Sequence, residues 1–117
     1  MNKLGLAIVL AVMLFAGKAD AQMLRILGAG ATVCGRWVID RREDSALAID
    51  EFSWVLGFFT GLNAGLPAES SNDHQVGAQL DVDVARVWLD NYCTAHPLDT
   101  LYQAANGLYL YAKSQNK

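Results

Sequence analysis

Cys34 and Cys93 are the residues of this 117-residue chain whose chemistry is easiest to foresee, because no other cysteine is present. Two thiols in an oxidising compartment tend to form a disulfide, and the chain-entropy model assigns about 4 kcal/mol of stabilisation to a loop of this length. We therefore expect an internal disulfide between Cys34 and Cys93. A pair of free thiols and a bridge between two chains are the alternatives.

The carboxylates and histidines do not form a catalytic or metal-binding set. Asp81 and Asp83 resemble a carboxylate pair, but they stand at the start of a helical pattern, where the helix dipole favours negative charge. His74 and His96 do not form a metal-ligand spacing with the two cysteines. We therefore expect no metal and no enzymatic activity.

Residues 27–31, Leu-Gly-Ala-Gly-Ala, imitate the opening of a dinucleotide-binding loop. The motif then fails, because Val33 occupies the position of its third glycine and the chain leaves no room for a βαβ unit. We expect no nucleotide and no other cofactor. Residues 22–33 are interpreted instead as a flexible leader that runs into Cys34.

The first 21 residues have the three-part pattern of a cleavable export signal. Asn2 and Lys3 give it a polar, positive start, an apolar run occupies 4–17, and residues 19–21, Ala-Asp-Ala, provide a small-residue cleavage site. The apolar run is short for a bilayer span, so a retained membrane anchor is the less favoured alternative. The pattern predicts a periplasmic or secreted bacterial protein that has no membrane contact after cleavage.

The charge of the exported part argues against two classes of partner. The chain after residue 21 carries seven basic and eleven acidic side chains, a net charge of about −4 with histidine neutral. Its basic residues are scattered, whereas nucleic-acid binding requires a concentrated basic face. An anionic membrane surface is disfavoured for the same reason. Other proteins are therefore the expected partners.

Helical periodicity runs through most of the remaining sequence. Ser45 can cap a long helix over 46–63, which has one apolar stripe and a second apolar face that carries Trp54 and Phe58. The stripe consists of Ala48, Phe52, Val55, Phe59 and Leu62. A helix that is apolar on two sides is usually buried between neighbours.

Two local patterns near this helix have structural interpretations. Gly57 and Gly61 would leave a smooth strip on its surface, which predicts the close approach of another helix. Residues 40–44, Asp-Arg-Arg-Glu-Asp, are interpreted as a solvated turn with local ion pairs.

Two shorter helices complete the predicted fold. One covers 81–93 and the other covers 98–113, with Pro97 marking the break between them. The inward residues of the first are predicted to be Val84, Val87, Trp88 and Tyr92. No β alternation of useful length is visible. We therefore predict an all-α fold, a small disulfide-bonded bundle of about three main helices, with a short extra turn near Trp37.

The stretch 88–102, Trp-Leu-Asp-Asn-Tyr-Cys-Thr-Ala-His-Pro-Leu-Asp-Thr-Leu-Tyr, resembles the second half of the HdeA/HdeB family. In that family a helix ends in Tyr-Cys, and a proline opens the final helix a few residues later. Cys34 matches the family's other cysteine, and Trp54 matches its tryptophan-bearing helix. The resemblance implies an HdeA-like helical domain over 34–113.

That family's activity is acid-stress chaperoning in the bacterial periplasm, by proteins that are dimers near neutrality and loosen in acid. Protonation of the carboxylates would move the net charge from about −4 to about +7, and self-repulsion would then destabilise the compact state. Client binding would place Trp37, Trp54, Phe58 and Phe59 at the working surface. The alternative is that these aromatic residues fill the core.

Residues 54–63, Trp-Val-Leu-Gly-Phe-Phe-Thr-Gly-Leu-Asn, are also similar to the glycine-rich first helix of periplasmic immunity proteins that neutralise type VI secretion amidase toxins. This second resemblance implies an inhibitor that binds one secreted toxin, with residues 64–80 as its contact loop. The further cysteine pair of those proteins is absent here. An accessory role in an envelope or secretion system is the third hypothesis.

Overall fold

The computed structural model describes residues 23–65 and 75–115, and these ranges form an all-α, disulfide-bonded bundle. A 3₁₀ turn and four α-helices follow one another along the chain: the turn Gly28–Ala31, then α1 (Cys34–Arg42), α2 (Ala46–Ala64), α3 (Val82–Ala95) and α4 (Leu101–Gln115). The predicted fold class is confirmed, with four helices rather than about three. The predicted export signal over 1–21 lies outside the described residues.

The disulfide joins the first residue of α1 to the last turn of α3. Cys34 and Cys93 are bonded through their sulfur atoms, and both side chains are fully buried. Backbone hydrogen bonds hold the same corner: Cys34 N donates to Asp99 O at 2.7 Å, and Leu101 N donates to Thr32 O at 2.7 Å. The predicted internal disulfide is confirmed, and it fixes the entry of the chain into the bundle.

Helix α1 replaces the short turn that was predicted near Trp37, and it contains part of the charge run. The interpretation of residues 40–44 as a solvated turn is wrong for Asp40, which is fully buried inside α1. Asp40 accepts two hydrogen bonds from Arg36, one turn earlier. Arg41 reaches across to α3, where Asp90 accepts two hydrogen bonds from its guanidinium, at 3.0 and 2.9 Å. Asp40 and Arg41 of the charge run therefore help to hold α1 in place, within the helix and against α3.

Helix α2 follows the sequence prediction closely. The Ser45 hydroxyl accepts a hydrogen bond from Leu47 N at 3.2 Å, which caps the free amide groups of the first turn. The predicted apolar stripe faces the core, where Ala48, Phe52, Val55 and Phe59 are buried and Leu62 is partly buried. No helix of the described ranges is long and apolar enough to cross a membrane.

Helix α3 is rotated relative to the prediction. Its buried residues are Ala85, Leu89 and Cys93, spaced by four. Val84 and Val87, predicted to face inward, are about half exposed. The disulfide decides this register, because Cys93 has to face the core and each residue four positions earlier then shares its face.

Helix α4 begins three residues later than predicted. Thr100 and Gln103 form a reciprocal capping box, in which Gln103 Oε1 accepts from Thr100 N at 2.7 Å and Thr100 Oγ1 accepts from Gln103 N at 3.3 Å. The box therefore starts the helix at Leu101. Leu101, Ala105, Leu108 and Tyr109 of this helix are buried, whereas Tyr102 is only partly buried.

Candidate protein-binding surface

The residues just before α1 fold against Trp54. The Trp54 indole Nε1 donates a hydrogen bond to the carbonyl oxygen of Leu27 at 2.8 Å. A Cβ atom added to Gly30 would overlap the Trp54 ring, so no side chain fits there. Gly28 has φ +69°, a left-handed conformation that glycine adopts without strain. The glycines that imitate a nucleotide-binding loop thus allow the Trp54 indole ring to pack directly against the backbone.

Trp54 is one member of a cluster of three aromatic rings. Its ring stacks on Phe58, with centroids 5.5 Å apart and planes 11° apart. Phe58 in turn meets Tyr102 of α4 edge to face, with centroids 5.6 Å apart. Spacing by four residues places Trp54 and Phe58 on one face of α2, which is the second apolar face that the sequence predicts. The cluster joins α2 to α4 beside the leader.

A shallow groove of about 320 Å³ runs along this cluster. We call it the leader groove, and its lining residues are Leu24, Arg25, Ile26, Leu27, Trp54, Phe58 and Tyr102. Leu24 and Leu27 at its rim are each 67% exposed. An open apolar surface of this kind can dock an apolar segment of another protein, because burial removes its area from water.

Trp37 and Phe59, the other two candidates, lie in the core. Trp37 is fully buried, and its Nε1 donates to Asp90 Oδ1 at 2.9 Å. Phe59 is buried against Tyr109, with ring centroids 5.2 Å apart in an edge-to-face arrangement. The structure therefore brings two of the four candidate residues together at the surface. A partner could reach the other two only if the bundle opened.

Sequence reasoning missed a second aromatic surface, on the α3–α4 side. Four rings follow one another in contact, with centroid separations of 6.1, 5.4 and 4.4 Å. We call them the aromatic row: Tyr111, Trp88, Tyr92 and His96. Trp88 and Tyr92 of α3 and His96 just after its end are spaced by four, each one position before a residue of the buried Cys93 face or its continuation. Steps of four residues back from Cys93 lead to Leu89 and Ala85, so the sequence could have indicated that the aromatic rings lie at the edge of the buried face.

A glycine of α4 makes room for the aromatic row. A Cβ atom at Gly107 would lie 2.9 Å from the Trp88 ring, so the indole packs directly on the α4 backbone. The Tyr92 hydroxyl donates to Asp99 Oδ2 at 2.7 Å, and this bond, together with burial and the carboxylate charge, raises the pKa of Tyr92. The row is thus held in place by packing and by hydrogen bonding.

The glycine strip of α2 does not receive a helix within the described ranges. Cβ atoms placed at Gly57 and Gly61 would meet nothing within 4 Å. The predicted close approach of another helix is therefore wrong for this part of the chain. Each glycine lowers helix stability by about 1 kcal/mol relative to alanine, and packing of the described residues does not explain either one.

Similarity to known proteins does not assign these surfaces. Comparisons with protein-family models, curated proteins and solved structures find no match for this chain. The resemblance to the HdeA/HdeB family stays a prediction from sequence motifs. The function therefore has to be argued from the surfaces themselves.

Proposed function

We propose that this chain is an exported periplasmic protein-binding module with chaperone-like activity under acid stress. The observation that supports the proposal best is the leader groove. Three aromatic rings and two exposed leucines meet there at one apolar surface. Burying a leucine side chain contributes roughly 1.5–3 kcal/mol, so a few such contacts are enough for a useful affinity.

The groove suits segments of varied sequence. Apolar contacts are not directional, and tryptophan and phenylalanine bring large areas with few rotatable bonds. Arg25 is the one charged residue among those that line the groove. Recognition would therefore depend on exposed apolar area in the client, which unfolding proteins supply.

Export and the disulfide agree with a periplasmic site of action. The predicted signal directs the chain out of the cytoplasm, and a disulfide persists where thiols are oxidised. Fixing the start of α1 to α3 also gives a small domain a stabilising constraint. In strong acid the carboxylates would be neutral and the chain would carry a large positive charge. The resulting repulsion would open the bundle and add core aromatics to the binding surface.

Suppression of aggregation tests the proposal. A periplasmic extract is brought to about pH 2–3 or to pH 7 with and without the mature protein, and turbidity and oligomeric state are followed together. The proposal predicts protection in acid, accompanied by dissociation of any dimer. Trp54→Ala with Phe58→Ala should reduce that protection. Ile49→Ala, an exposed apolar substitution on α2 outside the groove, should not. Equal protection by all variants would contradict the groove as the binding surface.

An inhibitor of one secreted toxin is the second candidate function. The packing of the leader groove favours it, since a hydrogen bond from Trp54 to Leu27 and the close contact of Gly30 with the Trp54 ring define the shape of the groove. A dedicated partner would bind a preformed surface at neutral pH. A folded chain without chaperone activity that inhibits a secreted amidase, and loses inhibition with Trp54→Ala, would support this candidate over the first. Most of the 64–80 loop that the sequence suggests as a contact region lies outside the described residues.

A further inference from the structure

Two carboxyl groups are buried together at the junction of α1 and α2. Asp40 is fully buried on α1, and Glu51 on α2 is 4% exposed. They are the buried charged residues of the described ranges. Carboxylates are rarely buried unless partners compensate their charge, so this junction requires an explanation.

The two carboxyl groups are not compensated equally. Asp40 accepts two hydrogen bonds from Arg36, from Nε at 2.8 Å and from Nη2 at 2.7 Å, so both of its oxygens are satisfied. Glu51 Oε2 is buried and has no hydrogen-bond partner among the described residues. The Arg36 guanidinium lies near both carboxyl groups, but its hydrogen bonds go to Asp40.

Among the residues that the structure describes, the neighbouring elements do not supply a second cation that pairs with Glu51. From α1, Arg36 attracts its charge and Asp40 repels it. From α3, Arg86 lies over the Phe52 ring at 4.6 Å, but its guanidinium is paired with Asp83 at 2.9 Å.

The other elements that pack on α2 add little charge. The turn Gly28–Ala31 has no ionisable side chain, and the charged residue of α4 is Lys113, in its last turn.

Burial, and then repulsion by Asp40, raise the pKa of Glu51 from 4.5 to about 7. The cause is the cost of placing a second negative charge in a poorly solvated site beside the first. The protonated carboxyl is neutral and fits this environment better than the carboxylate does. Near neutrality the Glu51 carboxyl group is therefore partly protonated and partly ionised.

We propose that Glu51 acts as a protonation switch, which holds α1 against α2 when it is protonated and loosens their junction when it ionises. The position of Glu51 makes such loosening consequential. It precedes Phe52, whose ring packs against Trp37 of α1 with centroids 6.4 Å apart. Ionisation would thus weaken the contact that covers the buried tryptophan.

The direction of the pH dependence follows from the sign of the shift. A group whose folded-state pKa is raised contributes stability that is fully present below its unfolded pKa, 4.5, and that is lost as the pH rises through about 7. The unfolding equilibrium constant should therefore rise about thirtyfold between about pH 5.5 and about pH 8. This change opposes the acid loosening of the proposed function and occurs in a different pH range, so either can fail without the other.

Urea unfolding of the mature protein across this pH range is the first test. The wild type should lose stability as the pH rises. Glu51→Gln, which keeps the shape and stays neutral, should remove that slope and exceed the wild type at pH 8. Asp50→Asn, an exposed neighbour on the same helix, should retain the wild-type slope. A flat wild-type profile, or an unchanged slope in Glu51→Gln, would overturn the proposal.

A direct titration keeps the proposal testable even if Glu51→Gln does not fold. The chain has three glutamates, Glu43, Glu51 and Glu69. Carboxyl ¹³C labelling of glutamate should give one resonance with a midpoint near pH 7. That resonance should persist in Glu43→Gln and in Glu69→Gln, and it should move to lower pH in Asp40→Asn. Three midpoints near the ordinary glutamate value would refute the switch.

Discussion

Trp37 and Trp54 use the same chemistry in two regions that do different work. Each indole N–H donates one hydrogen bond, Trp37 to the Asp90 carboxylate and Trp54 to the Leu27 carbonyl. Trp37 is fully buried, and Arg41, bonded to the same carboxylate, lies 5.7 Å from its ring centroid. Trp54 is only partly buried and borders a groove. In the core, the acceptor is a carboxylate that also binds Arg41. At the surface, the acceptor is a neutral carbonyl of the leader.

The largest effect should come from the covalent link on the Trp37 side. Replacing Cys34 and Cys93 by serine should lower the free energy of unfolding by about 4 kcal/mol, because the unfolded chain regains the entropy of a long loop. Thermal unfolding of the protein with and without a reductant measures the change. An unchanged melting temperature would show that the disulfide contributes no stability.

Trp37→Phe should come next. It removes the indole hydrogen bond to Asp90 and leaves a small cavity in the core, with an expected loss of about 2–3 kcal/mol. Chemical denaturation at neutral pH measures it. A loss no larger than that of the matched Trp54→Phe variant would remove the proposed contrast between the two regions.

Gly30→Ala should damage the groove side selectively. The new methyl group would meet the Trp54 ring, and displacement of one or the other should lower stability by about 1–2 kcal/mol. Tryptophan fluorescence should shift to the red as the indole becomes more solvated. Gly57→Ala is the control, since a Cβ atom there has open space and should raise stability.

The smallest stability effect is expected for Trp54→Phe. Loss of one hydrogen bond to a neutral carbonyl at a partly exposed site should lower the free energy of unfolding by about 0.5–1 kcal/mol. Client protection or toxin binding should fall more than this stability change explains. A variant that is as stable and as active as the wild type would argue that the leader groove is only a packing feature.

Local rules predicted much of the fold because neighbouring residues carry the relevant physics. Ser45 caps α2 and Asp81 lies at the start of α3, as predicted, and the apolar stripe of α2 follows from its spacing. The predicted register of α3 is wrong because the size of the aromatic rings favours them for the core, whereas the disulfide places Cys93 there. The prediction that Asp40 is solvated is wrong because its partner Arg36 becomes a neighbour only once α1 has formed.

The candidate surface was only partly predictable. The second apolar face of α2 pointed to Trp54 and Phe58, but Tyr102 joins them from more than forty residues away. Two glycines of the leader suggested a failed nucleotide motif, because their contact with Trp54 exists only in the folded chain. Spacing along one element can be read locally, whereas contacts between elements depend on how the helices dock.

The sequence is enough to predict the helical class and the starts of α2 and α3, because these depend on residues a few positions apart, and its count of two cysteines favours an internal pair. Only the tertiary structure decided which aromatics are buried, which ones line the leader groove, and that Glu51 shares a site with Asp40. These outcomes arise where three or more segments meet. Burial and charge at such a point are set jointly by all of them.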